Sequence, residues 1–236
     1  MFDTYLVTPF YNAFVFLLNL MPSADVGLAI ISLTVLVRAI FYPVFTSSIR
    51  TSMAMQAVRP QLDEINTRFK DDVEARSKKT MELFRAHRIR PFSSILSAVL
   101  QLVIFIALYW ALFHTGLPEI DSARLYSGIS APSAVGTDFF GLVNLFSPHN
   151  VFLALITAGL QYLVMYFSLG RMNTLGSSAT EAQVMAQKVQ NYMMLYFLPA
   201  LIGYVAYALP AAAGVYFIAG NVISLFQELL IRRKPL

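Results

Sequence analysis

The sequence GLAIISLTVLVRAIFYPVF, residues 27–45, is an apolar run of membrane-spanning length that contains a single charged side chain, Arg38. At ~1.5 Å of rise per residue, Arg38 would lie roughly 16 Å from Gly27 and about 10 Å from Phe45 along a helix. These distances predict a position near the middle of a hydrocarbon core ~30 Å thick. A guanidinium stays charged at cellular pH, and placing one there costs on the order of 2.5–3.5 kcal/mol. Because the run contains no acidic residue to neutralise it, we expect Arg38 to serve function rather than folding.

The whole chain has the composition of a polytopic membrane protein. It is 57% hydrophobic and 13% charged, whereas a soluble domain has about 25% charged residues. Its 236 residues leave room for one membrane domain and for no large soluble one. The absence of cysteine excludes a disulfide framework, thiolate metal sites and a cysteine nucleophile.

Five membrane-spanning helices are predicted from the hydropathy of the chain. They cover residues 27–45, 92–113, 151–169, 192–209 and 211–231. The segments between and after them are expected to be a cytosolic helical hairpin (46–91), an extracytoplasmic loop (114–150), a cytosolic loop (170–191) and a basic cytosolic tail (232–236). The sequence therefore predicts an all-α polytopic membrane protein.

Residues 1–22 contain neither Lys nor Arg, and no small-residue cleavage site follows, so a signal peptide is not predicted. Their apolar part is too short to span a membrane. Thr8, Asn12 and Asn19 fall on one line of a helix. We expect an amphipathic helix that lies at the membrane interface, with a short spanning segment as the alternative.

The loop charges predict the orientation. Ten basic residues lie in the insert 46–91, and Arg171, Lys188 and the basic tail fall on the same side. The opposite side has Arg124 alone. By the positive-inside rule, the insert and the C-terminus face the cytosol and the N-terminus lies outside. We expect a multi-pass protein of a bacterial cytoplasmic membrane.

The insert is predicted to form two helical arms. Asp71 and Asp72 mark the turn and can cap the second arm, while Pro60 is expected to break or kink the first. The charge pattern equally favours a solvated connector and a docking element for anionic lipid or ribosomal RNA.

Polar side chains recur at helical spacing inside four of the predicted spans. They are Thr34 and Arg38, then Ser94, Ser97 and Gln101, then Thr157, Gln161 and Ser168, and finally Asn221, Ser224 and Glu228. Taken singly, each small polar residue is more readily explained as a packing contact between helices. Together with Arg38 they could line a wet cavity, whereas Glu228 is expected to snorkel to the interface. The candidate site is therefore Arg38, Thr34, Gln101, Gln161, Asn221, Ser97, Thr157 and Ser224.

The sequence contains no catalytic constellation. His87, His114 and His149 are too scattered to form a metal set, and no HExxH, GxSxG or phosphate-binding glycine loop occurs. We expect neither an enzyme nor a bound metal or cofactor.

Four stretches together resemble the YidC/Oxa family of membrane protein insertases. They are the opening run at 27–45, MQAVRPQLDEINTRFKDD at 55–72, QLVIFIALYWALF at 101–113 and QNYMMLYFLPALIGYVAYALPAAAGVYFIAGNVISLFQ at 190–227. The resemblance implies a five-helix core, a cytosolic helical hairpin and a groove that opens to lipid and cytosol. It implies that Arg38 is the arginine of that groove, with Gln101, Gln161 and Asn221 at or near its wall. The entry to the second span, RPFSSILSAVLQ at 90–101, departs from the family pattern.

The resemblance implies an insertase and chaperone that passes short polar segments of its substrates through a hydrophilic half-membrane groove. Apolar segments would then leave sideways into lipid. The expected partners are nascent membrane proteins, membrane lipid, the Sec translocon, and a ribosome or signal recognition particle receptor at the hairpin. Two alternatives remain: a small channel or transporter with Arg38 as its selectivity element, and a purely structural assembly factor.

Overall fold

A computed structural model describes residues 3–114, 117–169 and 181–232, without the side chains of residues 182 and 183. The described chain is almost entirely helical, which confirms the predicted all-α class. In chain order its helices are α1 (Thr8–Leu20, preceded by a π-helical turn at Asp3–Val7), α2 (Val26–Ile40), α3 (Tyr42–Arg68), α4 (Val73–Ala86), α5 (Phe92–Phe113), α6 (Val151–Leu169), α7 (Glu181–Tyr192), α8 (Leu198–Ala208) and α9 (Ala211–Arg232). The predicted tail, 232–236, lies outside the described residues except for Arg232, as do residues 170–180 of the predicted cytosolic loop.

Within the described residues, four uninterrupted helices are long and apolar enough to cross a membrane. They are Phe92–Phe113, Val151–Leu169, Val184–Ala208 and Ala211–Arg232. The third joins α7 to α8 through a π-helical turn at Met193–Phe197, so it begins well inside the predicted loop 170–191. Helices α2 and α3 form a fifth span if the two are counted together, since the chain bends by 70° between them.

The predicted continuous helix 27–45 is corrected by this bend. Helix α2 ends at Ile40, and α3 begins at Tyr42 with Pro43 in its first turn. Proline has no N–H and its ring collides with the preceding helical turn, but it is well suited to the first turn of a new helix. Arg38 therefore lies in the last turn of α2, where a cation is favoured by the helix dipole, and not in the middle of a straight spanning helix.

Helices α3 and α4 form the predicted hairpin. The carboxylate of Asp72 accepts a hydrogen bond from the Ala75 amide at 2.9 Å, which confirms the predicted cap. Helix α3 continues through Pro60. This proline was expected to break or kink the first arm, and it does not break it. The near part of α3 is held against the bundle: Gln56 donates to the Ser168 carbonyl. Arg59 donates to the amide oxygen of Gln187 when that amide is oriented to accept.

Helix α1 packs on α2 and α5 through Tyr11, Phe14, Val15 and Leu18, all fully buried. The polar residues on one line of α1 were expected to belong to an amphipathic interfacial helix, but two of them bind another segment of the chain. Asn12 is buried; it donates to the Arg124 carbonyl and accepts from the Tyr126 amide. Asn19 donates to the Ser130 carbonyl. These side chains therefore fasten the segment 117–150 to α1, and the interfacial position of α1 stays a prediction.

The segment 117–150 folds over one end of the helix bundle, which we call the loop end; the opposite end, where α3 and α4 project, is the hairpin end. It contains a short antiparallel pair of strands, β1 (Asp138–Phe139) and β2 (Val143–Asn144). Gly136 exchanges backbone hydrogen bonds with the chain just before α2. At this end the space between the helices is filled by apolar side chains, among them Leu108, Leu112, Leu145 and Leu153.

Helices α6 and α8 approach closely at Gly203, where a Cβ would lie 2.8 Å from the Ala158 Cβ. Small residues at such contacts allow helix backbones to pack tightly within a membrane. We expect Gly203→Leu to lower the free energy of unfolding by about 1–3 kcal/mol, the usual cost of overpacking, measured as a lowered midpoint of thermal unfolding in detergent. Gly159→Leu is the matched control, since a Cβ at Gly159 meets nothing within 4 Å. An equal loss in both variants would contradict the packing argument.

Candidate functional site

Arg38 is partly buried between α2, α5 and α9. Its Nη2 donates to Gln101 Oε1 at 2.9 Å and to the Gly220 carbonyl at 3.3 Å. The guanidinium carbon lies 4.1 Å from the centre of the Phe45 ring, a cation–π distance. Among the described residues, no carboxylate comes within ion-pair distance of Arg38. The positive charge is therefore hydrogen-bonded but not neutralised.

Tyr216 and Gly220 border the hydrogen bonds of Arg38. Gln101 Nε2 donates to the hydroxyl of Tyr216, and the Tyr216 ring is fully packed, with its centre 5.6 Å from that of Phe105. The amide of Gln101 is thus oriented with its oxygen toward Arg38. Gly220 lies close to the guanidinium: a Cβ there would be 3.4 Å from Arg38 Nη2, in van der Waals contact with it.

Arg38 lies at the wall of a cavity of about 410 Å³ enclosed by α2, α3, α5, α6, α8 and α9. Six of the eight predicted site residues line it: Arg38, Ser97, Gln101, Gln161, Asn221 and Ser224. Ser94, Ser168 and Glu228, which belong to the same predicted stripes, line it as well. The helical spacing of polar residues thus brought together side chains from four helices.

The cavity is confined to the hairpin half of the bundle. On α5 its lining runs from Ser94 to Gln101, and on α6 it begins at Gln161, so each helix contributes only the half nearer the hairpin. In the loop half, Leu108 and Leu112 of α5 and Leu153 of α6 are buried in the apolar core. The polar space is therefore closed toward the loop end.

Thr34 and Thr157 do not line the cavity, which corrects their assignment to it. The Thr34 hydroxyl is buried and donates to the Ile30 carbonyl of its own helix at 2.7 Å, as mid-helix threonines commonly do. Thr157 is fully buried one turn beyond Gln161, where α6 packs against Gly214 of α9. For these two residues the packing interpretation is the correct one.

Glu228 does not snorkel, as it was expected to do. Its side chain is 5% exposed and pairs at 3.0 Å with Arg232, one turn further along α9. Arg232 also donates to the Phe167 carbonyl in the last turn of α6, where a cation is favoured by the helix dipole. The acid and its partner therefore lie together at the hairpin end of the cavity, and Arg38 lies deeper along α2.

Two polar atoms at the cavity wall lack hydrogen-bond partners within the described part of the protein, Asn221 Nδ2 and Gln227 Oε1. Leaving such a group unsatisfied costs about 1–3 kcal/mol. Both atoms are themselves buried, so a polar guest or water in the cavity would reach them only after a rotation of the two side chains. The described residues contain no cluster of His, Cys, Asp or Glu able to hold a metal ion.

Sequence reasoning missed four residues around Arg38: Phe45, Tyr216, Gly220 and Gln227. Gln227 could have been found, since it lies beside Glu228 at the end of the α9 stripe. The other three carry no polar spacing signal. They contact Arg38 or Gln101 because of how the helices pack against one another, and a hydropathy pattern does not show that packing.

Comparison with known proteins agrees with this architecture. The family described as 60Kd inner membrane protein matches residues 17–235. The chain is 33% identical over 215 residues to the membrane protein insertase YidC of Oceanobacillus iheyensis, covering 89% of this chain and 75% of that protein. The chain belongs to the YidC/Oxa family of membrane protein insertases. It is, with its several apolar helices, a multi-pass membrane protein.

Other YidC proteins are considerably longer. Identity is 31% over 220 residues to the YidC of Mannheimia succiniciproducens and 30% over 240 residues to that of Granulibacter bethesdensis. The matches cover 92% and 98% of this chain, yet only 35% and 38% of those two relatives. The chain therefore spans little more than a third of these two YidC proteins.

The chain has no native cysteine, so single cysteines can map the cavity. In sealed vesicles treated with a membrane-impermeant maleimide, we expect Gln161→Cys and Ser224→Cys to be labelled, because thiolates react where water reaches them. Labelling should come only from the face that labels Ser77→Cys, an exposed position on α4.

The buried controls are Thr34→Cys and Thr157→Cys, which should stay unlabelled from either face. Labelling of the two cavity positions from both faces would contradict a cavity closed at the loop end. Labelling of neither would mean that the space is dry.

Proposed function

We propose that this chain inserts membrane proteins by taking short polar segments of its substrates into the cavity around Arg38. The observation that carries the proposal is a cavity, confined to the hairpin half, in which polar side chains from four helices lie among apolar wall residues and whose Arg38 has no acidic partner among the described residues. Each stranded polar group costs several kcal/mol in hydrocarbon. A polar pocket through half the bundle shortens the apolar distance that such a segment must cross.

The charge of Arg38 gives the pocket its preference. A substrate carboxylate that enters the cavity meets a guanidinium already oriented by Gln101 and Gly220, and gains a charge-assisted hydrogen bond of about 1.5–3 kcal/mol. That gain is modest, so the acid is attracted without being trapped. No nucleotide hydrolysis and no covalent step is required, since burial of the substrate's apolar segment in lipid supplies about 25 cal/mol per Å².

The lateral exit that we propose lies between α5 and α8. Both helices line the cavity, through Ser97 and Gln101 on one side and Leu198 and Ile202 on the other. Yet α5 packs on α1 and α3, whereas α8 packs on α6 and α9. An apolar substrate helix can therefore leave between them without separating any of these helix pairs.

The same proposal assigns an orientation and partners. With the hairpin in the cytosol of a bacterium and the N-terminus outside, the cavity opens toward the side where substrates are synthesised. Nascent membrane proteins are then the substrates, and the basic hairpin is the place for a ribosome or signal recognition particle receptor; the Sec translocon is a further candidate partner.

The apolar packing of the loop half speaks against the channel alternative, which needs a polar path through both halves.

Replacing Arg38 tests the role of its charge. In cells depleted of their own insertase, we expect this chain and its Arg38→Lys variant to restore insertion of substrates with acidic translocated tails. Arg38→Gln should reduce it about tenfold or more, the equivalent of one charge-assisted hydrogen bond. Protease protection of the tail measures insertion, and the thermal unfolding midpoint of the purified variant controls for folding. Full activity of a folded Arg38→Gln protein would remove the charge from the mechanism.

Shortening the hairpin tests recruitment. Residues 63–84 are replaced by a flexible linker, which keeps the docking contacts of Gln56 and Arg59 that a deletion over 55–86 would destroy. We expect a folded core that inserts severalfold less per molecule. The companion variant Arg76→Gln/Lys78→Gln/Lys79→Gln keeps the hairpin but removes three charges. It therefore separates the effect of the hairpin's charge on insertion from the effect of its shape. Undiminished insertion by the shortened protein would mean that the hairpin is only a connector.

A further inference from the structure

A second cavity, of about 770 Å³, lies at the foot of the hairpin between the first turns of α3, the connection from α4 to α5 and the end of α9. Its charged and titratable lining is basic: Arg50, His87, Arg88 and Arg90. No acidic residue lines it, and none of the three arginines makes an ion pair with any described residue. The site is thus a concave surface with three unneutralised guanidinium groups.

The wall of this cavity contains a buried hydroxyl that has no partner. Thr46 is 7% exposed, and its Oγ1 makes no hydrogen bond within the described chain. The neighbouring Thr51 differs, since its hydroxyl accepts from the Ser93 hydroxyl at 2.9 Å. The hydroxyl oxygen is shut off from the cavity in its present rotamer; a rotation of the Thr46 side chain would turn it toward an oxyanion bound there and would also remove the cost of leaving it unsatisfied.

Two of the arginines, Arg88 and Arg90, are carried on a hydrogen-bonded turn, and Arg50 is carried on α3. Arg88 has a positive φ of 53°, and the chain on either side is fixed by hydrogen bonds from the Arg88 amide to the Arg85 carbonyl and from the Ile89 amide to the Phe84 carbonyl. Ser93 ties this turn to α3, since its hydroxyl lies 2.8 Å from the Arg90 carbonyl oxygen and 2.9 Å from the Thr51 hydroxyl. The basic groups are therefore presented by a fixed backbone and not by a loose loop.

The surroundings of the pocket are apolar. Pro43, Ala54 and Ile231 give part of its lining an apolar character, and the half-exposed ring of Tyr42 also lies at its wall. Guanidinium groups bind phosphate through paired hydrogen bonds, and exposed apolar side chains beside them suit acyl chains. Basic pockets at the cytoplasmic ends of spanning helices are where anionic headgroups bind.

We propose that this pocket binds the phosphodiester headgroup of an anionic phospholipid, with Arg50, Arg88, Arg90 and the Thr46 hydroxyl as its ligands. The bound lipid would fix the foot of the hairpin to the adjoining leaflet. The apolar rim distinguishes this ligand from free phosphate and from RNA, which share the phosphate chemistry but have no acyl chains. The proposal does not rest on the insertase mechanism.

The test measures lipid binding to the full-length protein in non-ionic detergent by native mass spectrometry. The probes are phosphatidylglycerol, phosphatidylcholine, inorganic phosphate and a short RNA oligonucleotide. We expect preferential binding of phosphatidylglycerol, reduced about tenfold or more in Arg50→Gln/Arg88→Gln/Arg90→Gln, since each lost charge-assisted hydrogen bond alone has that effect. Thr46→Val, which removes the hydroxyl at almost constant volume, should weaken binding to a smaller extent.

The matched control is Arg68→Gln/Arg76→Gln/Arg85→Gln, which removes the same charge from the hairpin outside the pocket. An equal loss in both triple variants would overturn the site in favour of diffuse hairpin charge. Displacement of the lipid by inorganic phosphate or RNA at comparable concentration would overturn the lipid assignment. If the pocket triple variant has an altered thermal unfolding midpoint, the single variant Arg50→Gln decides, since Arg50 is an exposed residue of the pocket: unchanged lipid binding by that variant overturns the proposal. No substrate insertion is measured, so failure here leaves the insertase proposal intact.

Discussion

The structure depends on one constraint: a guanidinium that cannot lose its charge must be accommodated at the end of an apolar helix. The chain meets it with an amide, a backbone carbonyl and an aromatic ring, from Gln101, Gly220 and Phe45. These partners come from α5, α9 and α3, so satisfying Arg38 fixes how three helices meet α2. The bend after Ile40 belongs to the same solution, because it brings the Phe45 ring over the guanidinium.

The choice of neutral partners has an electrostatic consequence. A carboxylate beside Arg38 would form a buried ion pair with little net field and a large cost if separated. An amide satisfies the N–H groups and leaves the charge available to a guest. The protein does use an acid–base pair in this cavity, Glu228 with Arg232, but places it at the hairpin end. The two arginines thus have different roles, one pairing within the protein and one open to the cavity.

Much of the fold and of the candidate site could be predicted from the sequence. Apolar length indicated the spanning segments, Asp72 indicated its helix cap, and helical spacing brought Gln101, Gln161 and Asn221 to one cavity. The bend at Pro43 was missed because hydropathy continues smoothly across it. Thr157 was misassigned because it packs against Gly214 of α9, and spacing along one helix does not determine which neighbour that helix meets. Glu228 was misassigned although its partner Arg232 lies one turn along the same helix, because hydropathy does not show that the pair is buried.

The proline in the first arm of the hairpin has a mechanical consequence. Helix α3 is clamped to the bundle through Gln56 and Arg59, and Pro60 follows at once, where the helix lacks one backbone hydrogen bond. Bending stiffness is therefore lowest just beyond the clamp. A load applied at the tip of the arm would flex the helix at Pro60, and the clamped part of α3 would pass it to α6 and α7 as well as to α5, on which α3 also packs.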